Sequence, residues 1–333
     1  MKIKLINIYS FPVRAKTDWL ILEIVSDNNI KGYSELTMSN YYKRDELISI
    51  TKKLIKKLSN KDVENDNQLK EILEENREES LIFNTSGSGI RSACSDIFSK
   101  IKRAPMNIYL AELKKRKISN SVELYANINR SLLPNNDGPV DRSPNSFFNM
   151  AKRAKNAGFK KIKCAPFDGF ENEEYEDRKF ISRGIDKVSL ISKNLKNEIE
   201  ILVDCHSKFN FKESQAAEKD LYDLGIKWFE EPMDPQKNLE ELKELKLLIK
   251  GKLVGGEEFY GVNKFYTLIK NNFLDIVMPD IKYCGGIEEA MNIGIKLESI
   301  SDGCFSIHCP SGPISLAGSA HVTSALSSKL PLE

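Results

Sequence analysis

From residue 200 to the last residue, six short apolar runs each finish on an acid or a histidine. The runs are "EILVD", "WFE", "LVGGE", "DIVMPD", "CFSIH" and "LPLE", and their final polar residues are Asp204, Glu230, Glu257, Asp280, His308 and Glu333. The successive steps are 26, 27, 23, 28 and 25 residues, about one strand-plus-helix unit each. Such a beat constrains the fold strongly. It requires parallel strands joined by helices, with the polar side chains gathered at the carboxyl ends of the strands. Two earlier runs, "VELYANI" and "FKKIKCA", bring the strand candidates to eight, the number that closes a (β/α)8 barrel. Amphipathic stretches such as "SPNSFFNMAKRAKNAG" and "GIEEAMNIGIKLESISDG" supply the helices between them.

The first 115 or so residues read differently. "KIKLINIYSFPV", "DWLILEIVS" and "IKGYSEL" alternate as strands, with a "DNN" turn between the last two, and helical patterns follow. The expected architecture is α/β: an N-terminal α+β capping domain over 1–115 and a modified TIM-type (β/α)8 barrel over 116–333. Fifty basic residues nearly balance forty-eight acidic ones. No basic stripe interleaved with aromatics points to nucleic acid. "KKLIKKL" at 52–58 reads as the solvated face of an amphipathic helix. No run of about 18 apolar residues spans a membrane, and the amino terminus reads as a strand and not as a signal peptide. The six cysteines form no CxxC pair, which predicts reduced thiols in a cytoplasmic protein.

In a barrel of this kind the strand ends line the active site. Asp204, Glu230 and Glu257 come from three consecutive strands, and three confined carboxylates repel one another unless a cation neutralises them. Oxygen-only ligands on a rigid frame favour Mg2+, one per site. A salt bridge at the barrel mouth is the bland alternative for any single one of them. Asp204 and His206 are two residues apart, so on a strand they share a face. The same holds for Lys161 and Lys163 in "KIK". Two ammonium groups that close depress each other's pKa, and a partly neutral lysine acts as a base. The other reading is a packed lysine stem whose head is paired to a carboxylate. His308 and Asp280 end neighbouring strands, so the acid can fix the tautomer of the imidazole. His321, inside a presumed helix, reads as structural.

Taken together, "KIK", "VDCH", "WFEEP", "GGEE", "PDIKYCGG", "HCPSGPISLAGSAH" and the closing "LE" resemble the mandelate racemase branch of the enolase superfamily, in the right order. The helix "ACSDIFSKIKRAP" resembles the last helix of that family's capping domain. Sites of this superfamily use a Lys or His base with one or two Mg2+ ions. The resemblance implies Mg2+ held by Asp204, Glu230 and Glu257. It implies Lys163 as a base on one face of a bound acid, Lys161 beside it near the substrate carboxylate, and His308 with Asp280 on the opposite face. Glu333 would donate a hydrogen bond to the substrate carboxylate as it becomes an enediolate. Members that only invert a centre often carry Asn in place of His206, whereas some sugar-acid dehydratases carry Asp-x-His, the histidine protonating a departing β-hydroxyl.

The leading expectation is therefore dehydration of a sugar acid to a 2-keto-3-deoxy acid. Racemisation or epimerisation, with Lys163 and His308 on opposite faces, is the alternative, followed by cycloisomerisation. Family members usually continue several dozen residues beyond the position of Glu333, so a missing or short C-terminal segment is expected, and an inactive relic is an alternative of another class. A Schiff-base aldolase using Lys163 is a further rival, opposed by three converging carboxylates. A metallohydrolase would want His-x-His where "YANINR" stands. A pure binding module would not explain bases beside a metal site. Specificity is expected from capping-domain loops around 14–19 and 37–45, where Arg14, Tyr41 and Tyr42 are candidates. The expected partner is a small carboxylate, with neither nucleic acid nor membrane, in a homo-oligomer.

Overall fold

The structure is a computed structural model of residues 1–333, and it describes all of them except 15–16, 39–42, 76–77, 130–131, 133–140, 171–176, 196, 302 and 328–329. The described residues group into two compact units. The first comprises Met1–Val122, Glu257–Thr267 and Pro279–Leu332, and the second Glu123–Gly256, Leu268–Met278 and Glu333.

The first unit opens with an antiparallel sheet of β1 (Ile3–Arg14), β2 (Thr17–Ser26) and β3 (Lys31–Glu35) in that order. In β2, Leu20, Leu22 and Ile24 are buried, and Glu23, Val25 and Ser26 are buried as well, so burial is continuous along its second half and does not alternate. Four helices follow: α1 (Arg44–Lys56), α2 (Asp66–Glu74), α3 (Leu81–Ile101) and α4 (Met106–Lys114). The α3 helix starts where Ser80 Oγ accepts from the Phe83 N–H, satisfying one of the donors a helix start leaves open. It is buried almost all round, and its small residues let β3 approach it closely. A Cβ at Gly32 would stand 2.0 Å from the Ala93 carbonyl oxygen. Later segments complete the unit because α10 (Ile287–Glu298) packs on α3, and α11 (Pro313–Ser324) packs on α4 and β3.

The second unit is a parallel sheet in the order β4 (Ala126–Asn127), β5 (Lys161–Cys164), β6 (Glu200–Asp204), β7 (Trp228–Glu230), β8 (Lys252–Gly255) and β9 (Ile276–Val277). Ile162, Leu202, Val203, Phe229, Leu253, Val254 and Val277 are buried, as near-continuous apolar strands covered on both faces should be. Helices α5 (Pro144–Asn156), α6 (Lys179–Leu195), α7 (Phe211–Asp223) and α8 (Leu239–Leu248) pack in series against one another. The helix α9 (Val262–Lys270) crosses from the first unit's residues into the second's. Six of the eight expected strands thus form a ladder. "CFSIH" and "LPLE" are reduced to single bridge residues, Phe305 and Leu332. Pro331 has no N–H to give a ladder, and its carbonyl accepts instead from Ser306 Oγ at 2.7 Å. Among the described residues no helix is long and apolar enough to cross a membrane.

Candidate active site

Register places the second unit's polar strand ends. Lys163 lies beside Leu202 on β6, and Asp204 lies directly beside Glu230 across the β6–β7 ladder. The Lys163 ammonium is 2.8 Å from Glu230 Oε1 and 3.1 Å from Glu333 Oε2, all three side chains being buried. Trp228 Nε1 donates to the other Glu230 oxygen at 2.8 Å, and Asn127 Nδ2 donates to Glu333 Oε1 at 2.7 Å. Burial opposes the charge on Lys163, but Glu230 and Glu333 outweigh it and hold its pKa well above the usual lysine value. Burial pushes the Glu230 carboxyl up, aided by Asp204 and Glu333 and resisted by Lys163.

This corrects the reading of "KIK". Lys161 begins β5 and pairs with Glu200, the first residue of β6, at 3.1 Å. Period 2 does put both lysines on one side, but it also sets Lys161 a pleat repeat nearer the amino ends of the strands. Lys161 therefore sits with Glu200, and Lys163 is held charged by carboxylates. The Lys163 pKa is raised and not depressed.

His206 follows β6 with φ 48°, and Ser207 follows it with φ 57°, a left-handed pair that residues with a Cβ seldom adopt. Backbone hydrogen bonds hold the bend: the Cys205 N–H donates to the Glu230 carbonyl at 2.9 Å, and the Ser207 N–H to that of Glu231 at 2.7 Å. The imidazole lies between two acids. Nε2 is 2.9 Å from Asp204 Oδ2, and Nδ1 is 2.7 Å from Asp168 Oδ2. The charge of Asp204 and the hydrogen bonds to Asp168 and Asp204 hold the His206 pKa well above the usual histidine value, against burial. Just beyond, Asn210 and Glu213 form a reciprocal cap that starts α7.

The first unit holds the other expected residues. His308 Nδ1 is 3.0 Å from Asp280 Oδ2, and Nε2 is 2.9 Å from Glu257 Oε2. Lys282, two residues after Asp280, forms a buried ion pair with the same Asp280 oxygen, and its own N–H donates to Asp280 Oδ1 at 2.8 Å. Burial would raise the Asp280 carboxyl, but Lys282 and His308 keep it below the usual range. His321 accepts from the Asn107 N–H through Nδ1 at 3.3 Å. Arg14 ends β1 opposite Thr17, while Tyr41 and Tyr42 lie outside the described residues.

Asp204, Glu230 and Glu257 supply only hard oxygen donors, and two of them are register neighbours, so the donor chemistry fits Mg2+. Among the described residues, however, no group of three or more His, Cys, Asp or Glu is gathered as a metal centre. Each of the three carboxylates instead meets a basic side chain: His206, Lys163 and His308 respectively. Sequence reasoning missed Asp168 and Lys282. Asp168 sits in an aperiodic turn that carries no signal. Lys282 had one, since its i+2 spacing from Asp280 repeats that of Asp204 and His206.

Comparison with known proteins gives this arrangement a family. The family described as "Enolase C-terminal domain-like" matches residues 148–333, more than half of the chain. The chain belongs to this family. It is 30% identical over 150 residues to an arabinonate dehydratase of Saccharolobus solfataricus, a match covering 45% of this chain and 40% of that protein. It is 27% identical over 187 residues to a D-gluconate/D-galactonate dehydratase of Picrophilus torridus, covering 56% of this chain and 47% of that one. The chain thus spans under half the length of these curated relatives. Among solved structures, a member of the enolase superfamily from Salmonella Typhimurium superposes with a TM-score of 0.87 at 22% identity, covering 100% of this chain and 86% of its own. The fold is that of the enolase superfamily.

Proposed function

We propose that the protein is a Mg2+-dependent sugar-acid dehydratase, converting an aldonate or aldarate to a 2-keto-3-deoxy acid. The reading is supported by the end of β6, where Asp204 lies beside Glu230 in register and the imidazole of His206, just past the strand, stands 2.9 Å from Asp204 Oδ2. The names of the curated relatives support the substrate class. Asp204, Glu230 and Glu257 would hold the ion. Bound there, Mg2+ supplies positive charge against which the substrate carboxylate accumulates the electron pair of the broken C–H bond.

The protein's own residues carry the proton transfers. Lys163 takes the proton from the carbon next to the carboxylate. In its present pairing Lys163 is a cation, so abstraction requires it first to pass a proton to Glu333, 3.1 Å away, which so protonated donates a hydrogen bond to the substrate carboxylate. His206 gives its proton to the hydroxyl on the next carbon, which leaves as water, and the resulting enol tautomerises to the 2-keto acid. His308, fixed through Nδ1 by Asp280, delivers or removes a proton from the opposite face. That second, oriented imidazole favours one alternative, racemisation or epimerisation with Lys163 and His308 as the two bases.

The test is a screen of aldonates and aldarates with Mg2+, reading 2-keto product and solvent-deuterium incorporation at the α-carbon. Dehydration should be lost in H206N while exchange persists. Exchange without any keto product in the wild type selects the epimerase reading. Neither signal on any acid sugar refutes both.

A further inference from the structure

The scheme above leaves Asp168 unused. It lies in the turn after β5, in "CAPFDG", with its side chain 17% exposed. Its Oδ2 accepts the 2.7 Å hydrogen bond from His206 Nδ1, and its Oδ1 is 3.2 Å from Lys208 Nζ. The turn is itself held. Arg142 donates to the carbonyl oxygens of Asp168 at 3.1 Å, Ala165 at 2.8 Å and Leu132 at 3.1 Å, and to Asn129 Oδ1 at 2.9 Å. Beside Asp168, the Phe167 ring meets Phe209 edge-on, with centroids 4.8 Å apart, so the turn after β5 and the turn after β6 are also joined by apolar packing.

His206 needs such support. A residue with a Cβ in the left-handed region persists only where its surroundings over-determine it. Ser207 repeats the conformation, and backbone bonds fix the main chain through that bend but leave the ring free to turn about its side-chain torsions. Asp204 at Nε2 and Asp168 at Nδ1 together set the ring. A neutral imidazole has one donor and one acceptor nitrogen, and the partner at one decides the role of the other.

We propose that Asp168 is a positioning residue for His206. By accepting the Nδ1–H it leaves Nε2, the nitrogen directed at Asp204, as the atom that transfers the proton, and Arg142 is the clamp that keeps Asp168 in place. The assignment rests on the dehydratase reading for the chemistry of His206, but the ring geometry can be tested without turnover.

The chain has only three histidines, so the imidazole spectrum of the full-length, uniformly 15N-labelled protein is simple. One downfield Nδ1 proton should disappear in H206N and in D168L, persist in D168N, whose amide oxygen still accepts, and broaden in R142M. If D168L fails to fold, D168S, too short to reach the ring, takes its place. Absence of any H206N-sensitive ring proton in the wild type, or its persistence in D168L or D168S, overturns the proposal. With Mg2+ and D-arabinonate, D-gluconate or D-galactonate, D168L should lower kcat for dehydration by about 10–100-fold, the usual effect of losing a partner that orients a functional imidazole, with KM and α-deuterium exchange little changed. D168N should recover most of that loss. A ring proton that follows Asp168 while wild type dehydrates none of the three acids leaves the positioning intact and refutes the dehydratase reading. A ring proton that follows Asp168 with kcat unaffected refutes the catalytic part of the proposal.

Discussion

Replacing Arg91 by Met should be among the most damaging single changes in the first unit. Arg91 in α3 is 1% exposed, and its guanidinium grips Asp66 through Nε at 2.8 Å and Nη2 at 2.5 Å, with Nη2 also 2.9 Å from Glu289 Oε2. Met has a similar stem, so little packing is lost and the effect isolates the charge. Glu289 keeps Lys70 at 2.8 Å, so the loss falls chiefly on Asp66, 3% exposed and stripped of a two-pronged cation. Truncating one side of a buried pair leaves a desolvated charge and costs roughly 3–5 kcal/mol. Urea unfolding at pH 7, followed by far-ultraviolet circular dichroism, should show that loss at an unchanged m-value. The double variant R91M/D66L should recover most of it, because replacing a whole buried pair by apolar groups is often neutral. An R91M protein within about 1 kcal/mol of wild type, or a double variant no better than R91M, refutes the reasoning.

Other outcomes follow from the charges. Hydrogen bonds from Tyr33 and Asn7, with Lys31 nearby, pull the Glu23 carboxyl down to about 2 against burial, so it contributes stability above pH 4.5 that is lost as pH falls toward 2. Urea midpoints of E23Q should lack that share of the acid slope. Burial, with Arg142 close by, pushes the Lys187 ammonium from 10.5 down to about 8, so the unfolded chain binds the extra proton between those values and stability rises with pH across them. The midpoint of wild type relative to K187M should therefore improve between pH 7.5 and pH 10, and a constant difference would be the contrary result. Calorimetric titration with Mg2+ should give a binding heat for wild type that is lost in D204N and E230Q. Equal heats in all three would remove those carboxylates from the proposed ligand set.

How much of this was readable in advance depends on what each residue needs. The polar ends of β6 and β7 were legible because both are local: an apolar run, then an acid, at a repeat spacing. Helix starts such as Asn210–Glu213 are legible for the same reason, since the capping partners are three residues apart. The pairing of Lys161 with Glu200 was not readable from a rule that holds. Alternation gives the side of a strand but not the distance along it, and only the register with Glu200 fixes that. Asp168 and Arg142 were invisible because their partners lie 38 and up to 26 residues away, joined by turns without period.

The strand-helix beat and the acids and histidines that end its runs, Asp204 and His206 among them, were therefore legible in the amino-acid sequence itself, because periodicity and short spacing are properties of a chain before it folds. The tertiary structure alone decided the other pairings: Lys163 with Glu230 and Glu333, His206 with Asp168 as well as Asp204, and His308 with Glu257 as well as Asp280. Charges choose partners by distance and burial, and neither exists until strands far apart in the chain have been brought into register.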